Sequence, residues 1–147
     1  GNAALEDVGA ALASGNAALS GLDQKYNITG GPITGVVTTQ SQSIGDIDNQ
    51  ALPSGTIILD FSGSNNFEFV LGGNSTLSAP TLPSGGQTGV ITIRQDDVGS
   101  RTLAYNSVWQ FAGGTPPVLT TAASGVDLIS YYVTSPTEIQ SIANLNF

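Results

Sequence analysis

The chain contains no cysteine, no histidine and no methionine. Without Cys or His there is no thiol nucleophile, no imidazole base, no disulfide framework and no ordinary zinc or haem ligand set. No cofactor or metal is expected on these grounds. Cations are scarce as well: 3 Lys and Arg against 11 Asp and Glu leave a net charge of −8. A nucleic-acid binder displaces counterions from phosphates with basic side chains, so nucleic acid is excluded as a partner. No stretch approaches the roughly 18 consecutive apolar residues of a membrane-spanning helix. The opening Gly1-Asn2-Ala3 lacks the charged-then-apolar pattern of a signal peptide, and no leader is read there.

What is present is small and uncharged. Ser, Thr, Gly and Asn fill 60 of the 147 positions, and charged residues are 10% of the chain, against about 25% in an average soluble domain. The polar surface must therefore be made of hydroxyls, amides and backbone. At this length about two-thirds of the unfolded surface can be buried, enough for a core without disulfides.

The first 26 residues carry a helical period. Leu5, Val8, Leu12, Gly15, Leu19, Leu22 and Tyr26 follow one another in alternating steps of three and four, the spacing of helices packed along a left-handed seam. Ala3-Ala4-Leu5, Ala10-Ala11-Leu12 and Ala17-Ala18-Leu19 recur every heptad. Small residues beside the seam suit close packing of more than two helices. Asn2 is placed as N-cap, and Glu6 and Asp7 complement the first-turn dipole. This pattern predicts a helical stem or anchor over residues 1–27 that self-associates as a homotrimer. Its interface would be Leu5, Val8, Leu12, Leu19, Leu22 and Tyr26. Gly9, Gly15 and Gly21, each costing about 1 kcal/mol in a helix interior, favour the alternative of an amphipathic helix lying on its own domain.

From residue 28 the period changes. Short β-rich runs (Ile33–Thr39, Thr56–Phe61, Phe67–Leu71, Val90–Gln95, Arg101–Tyr105, Val108–Phe111, Val126–Val133 and Glu138–Ala143) alternate with breakers such as Pro53-Ser54-Gly55, Gly72-Gly73-Asn74 and Pro83-Ser84-Gly85-Gly86. Short strands with this punctuation, and no crossover helix, predict a mainly β fold: an antiparallel β-sandwich or jelly-roll-like head over residues 28–147. In Val126–Val133, the set Val126, Leu128, Ser130 and Tyr132 opposes Asp127, Ile129, Tyr131 and Val133. Both faces are partly apolar, so the strand is either central or covered by another subunit.

Chemical constellations are few. Asp46-Ile47-Asp48-Asn49 is a fragment of a Ca²⁺ loop without its turn glycine or closing Glu, and reads as a solvated acidic turn. Asp96-Asp97-Val98-Gly99 reads as a hairpin loop with Gly99 at positive φ, and Arg101 as a partner for Asp96 or Asp97. A glycosidase needs two carboxylates, but nothing singles out a pair among the eleven acids. The protein is expected not to be an enzyme. Trp109, Tyr105, Tyr131 and Tyr132 are the aromatic residues available to stack on sugar rings, although Trp109 alternates with Phe111 and is assigned to the core.

The order of pieces in the C-terminal half carries a resemblance. Gly89-Val90-Ile91-Thr92-Ile93-Arg94-Gln95-Asp96 leads into Gly99-Ser100-Arg101-Thr102-Leu103. Then come Trp109, the loop Gly113-Gly114-Thr115-Pro116-Pro117-Val118-Leu119-Thr120-Thr121 and the strand from Val126-Asp127. This series resembles a small β-rich domain of virion proteins of tailed bacteriophages, particularly tail fibres and related appendages of marine phages, over residues 56–133. The resemblance implies a virion structural protein: a trimeric fibre or spike segment for display and host-surface recognition, contacting other virion proteins and a host surface glycan. Two alternatives are a capsid decoration or head fibre anchored by the N-terminal helix, and a secreted carbohydrate-binding or adhesin module. Under the stem reading, Leu12→Asp should weaken assembly in light scattering while leaving the β signal in circular dichroism. Parent-like assembly by the variant would remove residues 5–26 from the interface.

Overall fold

The computed structural model describes residues 45–50 and 53–147. The proposed interface residues Leu5, Val8, Leu12, Leu19, Leu22 and Tyr26, and the boundary between residues 27 and 28, lie outside the described residues. Nine strands follow in chain order: β1 (Ile47–Gln50), β2 (Gly55–Ile57), β3 (Asn66–Leu71), β4 (Ser75–Leu77), β5 (Thr88–Gln95), β6 (Leu103–Tyr105), β7 (Trp109–Phe111), β8 (Val126–Ser135) and β9 (Glu138–Asn144). A 3-10 turn, Ala112–Gly114, follows β7.

The mainly β character is as expected, but the pairing differs from an antiparallel sandwich. β1, β3 and β5 lie side by side and parallel in one sheet, and β2, β4 and β6 do the same in a second. From β1 to β6 the chain changes sheet after every strand and returns one place further along. This is the winding of a parallel β-solenoid. A parallel bridge between Asp60 and Thr81 ties the first two coils on a further side. The sequence-based expectation took the lack of a crossover helix as evidence against parallel pairing. Here each crossover is a strand of the opposite sheet, so no helix is required.

Alternation places like residues above one another. On the inner side Phe67 stands beside Ile91 and Phe69 beside Ile93, while Ile57 stands beside Leu77. All six are buried. Thr56 and Thr76 form the outward counterpart in the second sheet.

After the third coil the direction reverses. β8 runs antiparallel to β5, β9 antiparallel to β8, and β7 lies parallel to β9 as the sheet edge. The open side of β5 is thus paired within the chain. β8 is central in the sheet, paired along both edges by β5 and β9, while its second face is half-buried to exposed. Ile129, Tyr131 and Val133 enter the core, whereas Val126, Leu128, Ser130 and Tyr132 face outward.

Aromatic packing joins coils to cap. Phe61 stacks on Phe67 at 5.2 Å between ring centroids and on Tyr131 at 4.9 Å. Trp109 meets Phe61 and Tyr131 edge-on at 6.2 and 6.3 Å, and its indole Nε1 donates to the Ser78 carbonyl at 2.9 Å. Such pairs add about 0.5–1.5 kcal/mol each beyond burial. Tyr131 lies opposite Gly89 in the β5–β8 register, and its hydroxyl donates to the Asn65 carbonyl at 2.6 Å. A Cβ at Gly89 would overlap that carbonyl and come within 2.6 Å of Tyr131 Oη. Burial raises the Tyr131 phenol above its ordinary pKa, so the hydroxyl keeps its proton and remains a donor.

Two variants test this arrangement in urea unfolding. Tyr131→Phe removes one donor and should cost about 1 kcal/mol. Gly89→Ala must displace backbone or ring and should cost about 2–3 kcal/mol. An alanine variant as stable as the parent would show that the close approach does not constrain residue 89.

Candidate functional site

Three adjacent strands present one outward row at the sheet edge. Tyr132 on β8 is in register with Gln140 on β9, and Gln140 with Gln110 on β7. Two places along β8 and β9, Ser130 pairs with Ile142. Each outward residue is fixed by inward neighbours: Gln110 lies between buried Trp109 and Phe111, and Tyr132 between buried Tyr131 and Val133. These residues, with Ala112, line a cleft of about 560 Å³, within the range of about 300–1,000 Å³ typical of small-ligand sites. A smaller cleft of about 200 Å³ shares Phe111, Ala112, Ser141 and Ile142 with it and extends to Thr115 and Pro117. No charged side chain lines either. Tyr132 is 46% exposed and Ile142 63%.

Of the four aromatic residues available to stack on sugar rings, one reaches the surface as an exposed ring. Trp109 and Tyr131 are buried, Tyr105 is partly buried against the core and meets Phe111 edge-on at 4.8 Å, and Tyr132 alone is exposed. Gln110, Gln140 and Ile142 were not singled out in the sequence. Alternation marks Gln110 and Gln140 as outward, but no local signal shows that β7 and β9 adjoin β8.

The acidic constellations build backbone. Asp46 Oδ1 accepts from the Ile47 amide at 2.9 Å, and Asp48 Oδ2 from Gln50 Nε2 at 2.8 Å, where β1 forms a strand rather than a turn. Among the described residues, no cluster of three or more acidic side chains gathers to hold a metal ion. The segment Asp96-Asp97-Val98-Gly99 is not a hairpin loop, because β5 and β6 belong to different sheets. It is a solenoid corner. Asp96 Oδ1 accepts from the amides of Val98 and Gly99 at 3.1 and 2.8 Å, and Oδ2 accepts from Arg101 Nε and Nη2 at 2.9 and 2.7 Å. Gln95 is buried and clasps Arg101 both ways, its Nε2 donating to the carbonyl and its Oε1 accepting from the amide. Gly99 has φ +73°, and a Cβ there would meet Thr121 O at 2.6 Å.

Asp127 does the same for the next loop. It is buried and accepts from Thr120 N at 2.8 Å, Thr120 Oγ1 at 2.6 Å and Asn146 N at 3.0 Å. The ordered series Gln95-Asp96, Gly99-Ser100-Arg101, Thr120 and Asp127 is thus a set of corner and loop fasteners. Comparison with protein families, with curated proteins and with solved structures finds no match.

The Asp96 carboxyl is held below the usual carboxylate range, first by the Arg101 hydrogen bonds and then by the Gly99 and Val98 amides, against the opposing effect of burial. Asp60 is lowered too, chiefly by the Ser62 hydroxyl and amide and by Thr81. A depressed native pKa stabilises the fold above the unfolded value of about 3.9, and this contribution is lost as pH falls through the native value. The thermal midpoint should therefore be flat above about pH 5 and fall below about pH 4. Asp96→Asn should be less stable at neutral pH and show a shallower acid fall. An unchanged acid slope would remove Asp96 from the titrating groups.

Proposed function

We propose that this chain is a non-enzymatic structural protein of a tailed-phage virion, a homotrimeric fibre or spike segment that displays a β head and recognises a host surface. The observation that carries this reading is the stack of parallel coils. Coils stack on their predecessors through backbone ladders, and β8–β9 extend the first sheet past β5. β1 and β7 in the first sheet, and β2 and β6 in the second, are sheet edges among the described residues. Such repeats extend by adding coils and require caps at their ends. A protein of that kind serves as a spacer or platform.

Two further features support it. The heptad-spaced leucines of residues 5–22 suit a self-associating stem. The residues of the resemblance to phage appendage domains within 56–133 fall on the strands β5, β7 and β8 and on the corner residues Asp96, Gly99 and Arg101. The carboxylates Asp60, Asp96 and Asp127 each hold neighbouring amides or hydroxyls in place, a structural use of groups that an acid–base enzyme would keep available.

Multi-angle light scattering on the purified chain tests the assembly. The expected mass is about three times the 14.9 kDa of one chain. A mass of one chain at micromolar concentration overturns the trimer and favours the secreted-module alternative.

A further inference from the structure

The edge of the six-stranded sheet carries polar side chains that are not held by others among the described residues. Tyr132 Oη, Ser130 Oγ and the Gln140 amide make no side-chain hydrogen bond to the described residues, and Gln110 uses only its Nε2, donated to the Ser107 carbonyl. Some other surface hydroxyls and amides are engaged, Ser62 and Thr81 on Asp60, Gln87 on Phe61 and Asn65, Thr134 on Glu138, while those of Thr56, Thr76 and Thr88 are also without a side-chain hydrogen bond to the described residues. The groups of Tyr132, Ser130, Gln140 and Gln110 differ in lining one cleft around a half-exposed aromatic ring.

We propose that the cleft is a binding site for a neutral saccharide, with Tyr132 as the stacking surface and Gln140, Gln110 and Ser130 as the groups that hold its hydroxyls. This rests on the recognition half of the functional reading above and names the ligand class. A sugar ring offers a C–H face and a rim of hydroxyls that both donate and accept. Tyr132 and Ile142 supply the apolar contact. A carboxamide both donates and accepts, so Gln140 matches adjacent hydroxyls whatever their orientation. Gln110 keeps its Oε1 as an acceptor.

Charge selects the ligand further. No ionic side chain lines the cleft, and the chain carries −8 overall, so an acidic sugar gains no partner and meets an unfavourable field. Tyr132 and Gln110 stand two strand spacings apart, about 10 Å, and the cleft continues past Ile142 toward Thr115 and Pro117. That extent suits an oligosaccharide segment. The platform is preorganised, because Tyr131, Phe111 and Ser141 beneath it are buried. A second protein copy fits less well. The same outward face interleaves Val70, Val90, Val126, Leu128 and Ile142 with Asn66, Glu68, Thr88, Thr92, Arg94 and Asn144, and Arg94 is paired to Glu68 at 2.6 Å. It is not a continuous apolar patch.

The test is saturation-transfer NMR and titration calorimetry on the full chain, with glucose, galactose, mannose, N-acetylglucosamine, lactose and cellobiose as neutral probes and sialyllactose as the anionic control. At least one neutral probe should bind saturably, and sialyllactose no more tightly than lactose. Tyr132→Ala should weaken binding about tenfold or more, while Tyr132→Phe stays within about threefold. Gln140→Leu, a second outward change, should also weaken it, so the proposal does not depend on one variant folding well. The proposal is overturned if no neutral probe binds, if sialyllactose binds preferentially, or if Tyr132→Ala and Gln140→Leu bind like the parent. If no saccharide binds and Tyr132→Ala lowers the scattering mass, the face is a contact between copies; the saccharide site falls and the virion reading stands. A one-chain mass for the parent with saccharide binding intact would have the reverse effect.

Discussion

Parallel stacking of each coil on the one before is the constraint on which the rest of the molecule depends. A strand three to eight residues long cannot bury its inner face alone, and neither can a single coil. Stacking solves both problems together. The backbone groups of β3 are shared between β1 and β5, and Phe67 and Phe69 are covered laterally by Ile91 and Ile93. The series must end somewhere, and here it ends by reversal. β8 accepts the free side of β5 antiparallel, and Tyr131 from β8 reaches back over Gly89 to Asn65 in the corner preceding β3. Cap and coils are therefore one cooperative unit held by a shared aromatic cluster.

Low ionic content shapes how the corners are built. With so few cations, only Arg94 and Arg101 form ion pairs among the described residues, and the exposed Arg94–Glu68 pair is worth about 0–1 kcal/mol. The corners rely on neutral and carboxylate acceptors for backbone amides. Gln95 grips residue 101 across a sharp bend, Asp96 gathers two amides and a guanidinium, and Asp127 joins the Thr120 loop to the chain end at Asn146. Buried polar groups of this sort are tolerated because each has its partners.

Much of the strand content was legible in the sequence. The alternation in Val126–Val133 separated Asp127, Ile129, Tyr131 and Val133 from Val126, Leu128, Ser130 and Tyr132 as the structure has them, without showing which set faces inward. The pairing was not legible, because a solenoid corner and a hairpin turn call on the same residues. Gly99 at positive φ with Asp96 behind it satisfies either. The repeat that would have distinguished them is irregular: Ile47, Asn66 and Val90 stand abreast at unequal separations along the chain. The cleft was only half legible. Tyr132 was recognisable as an aromatic candidate, but Gln110 and Gln140 join it through strand neighbours distant in sequence.

The edge strand β7 is only three residues long, and it runs straight into a turn whose two glycines, Gly113 and Gly114, both adopt left-handed φ. An incoming extended segment would find a docking ladder of barely one hydrogen-bonding repeat before the main chain veers off. Lateral polymerisation through this border is thereby discouraged, which matters for a polypeptide rich in Thr, Val and Ile that nature would otherwise have to shield from fibril formation.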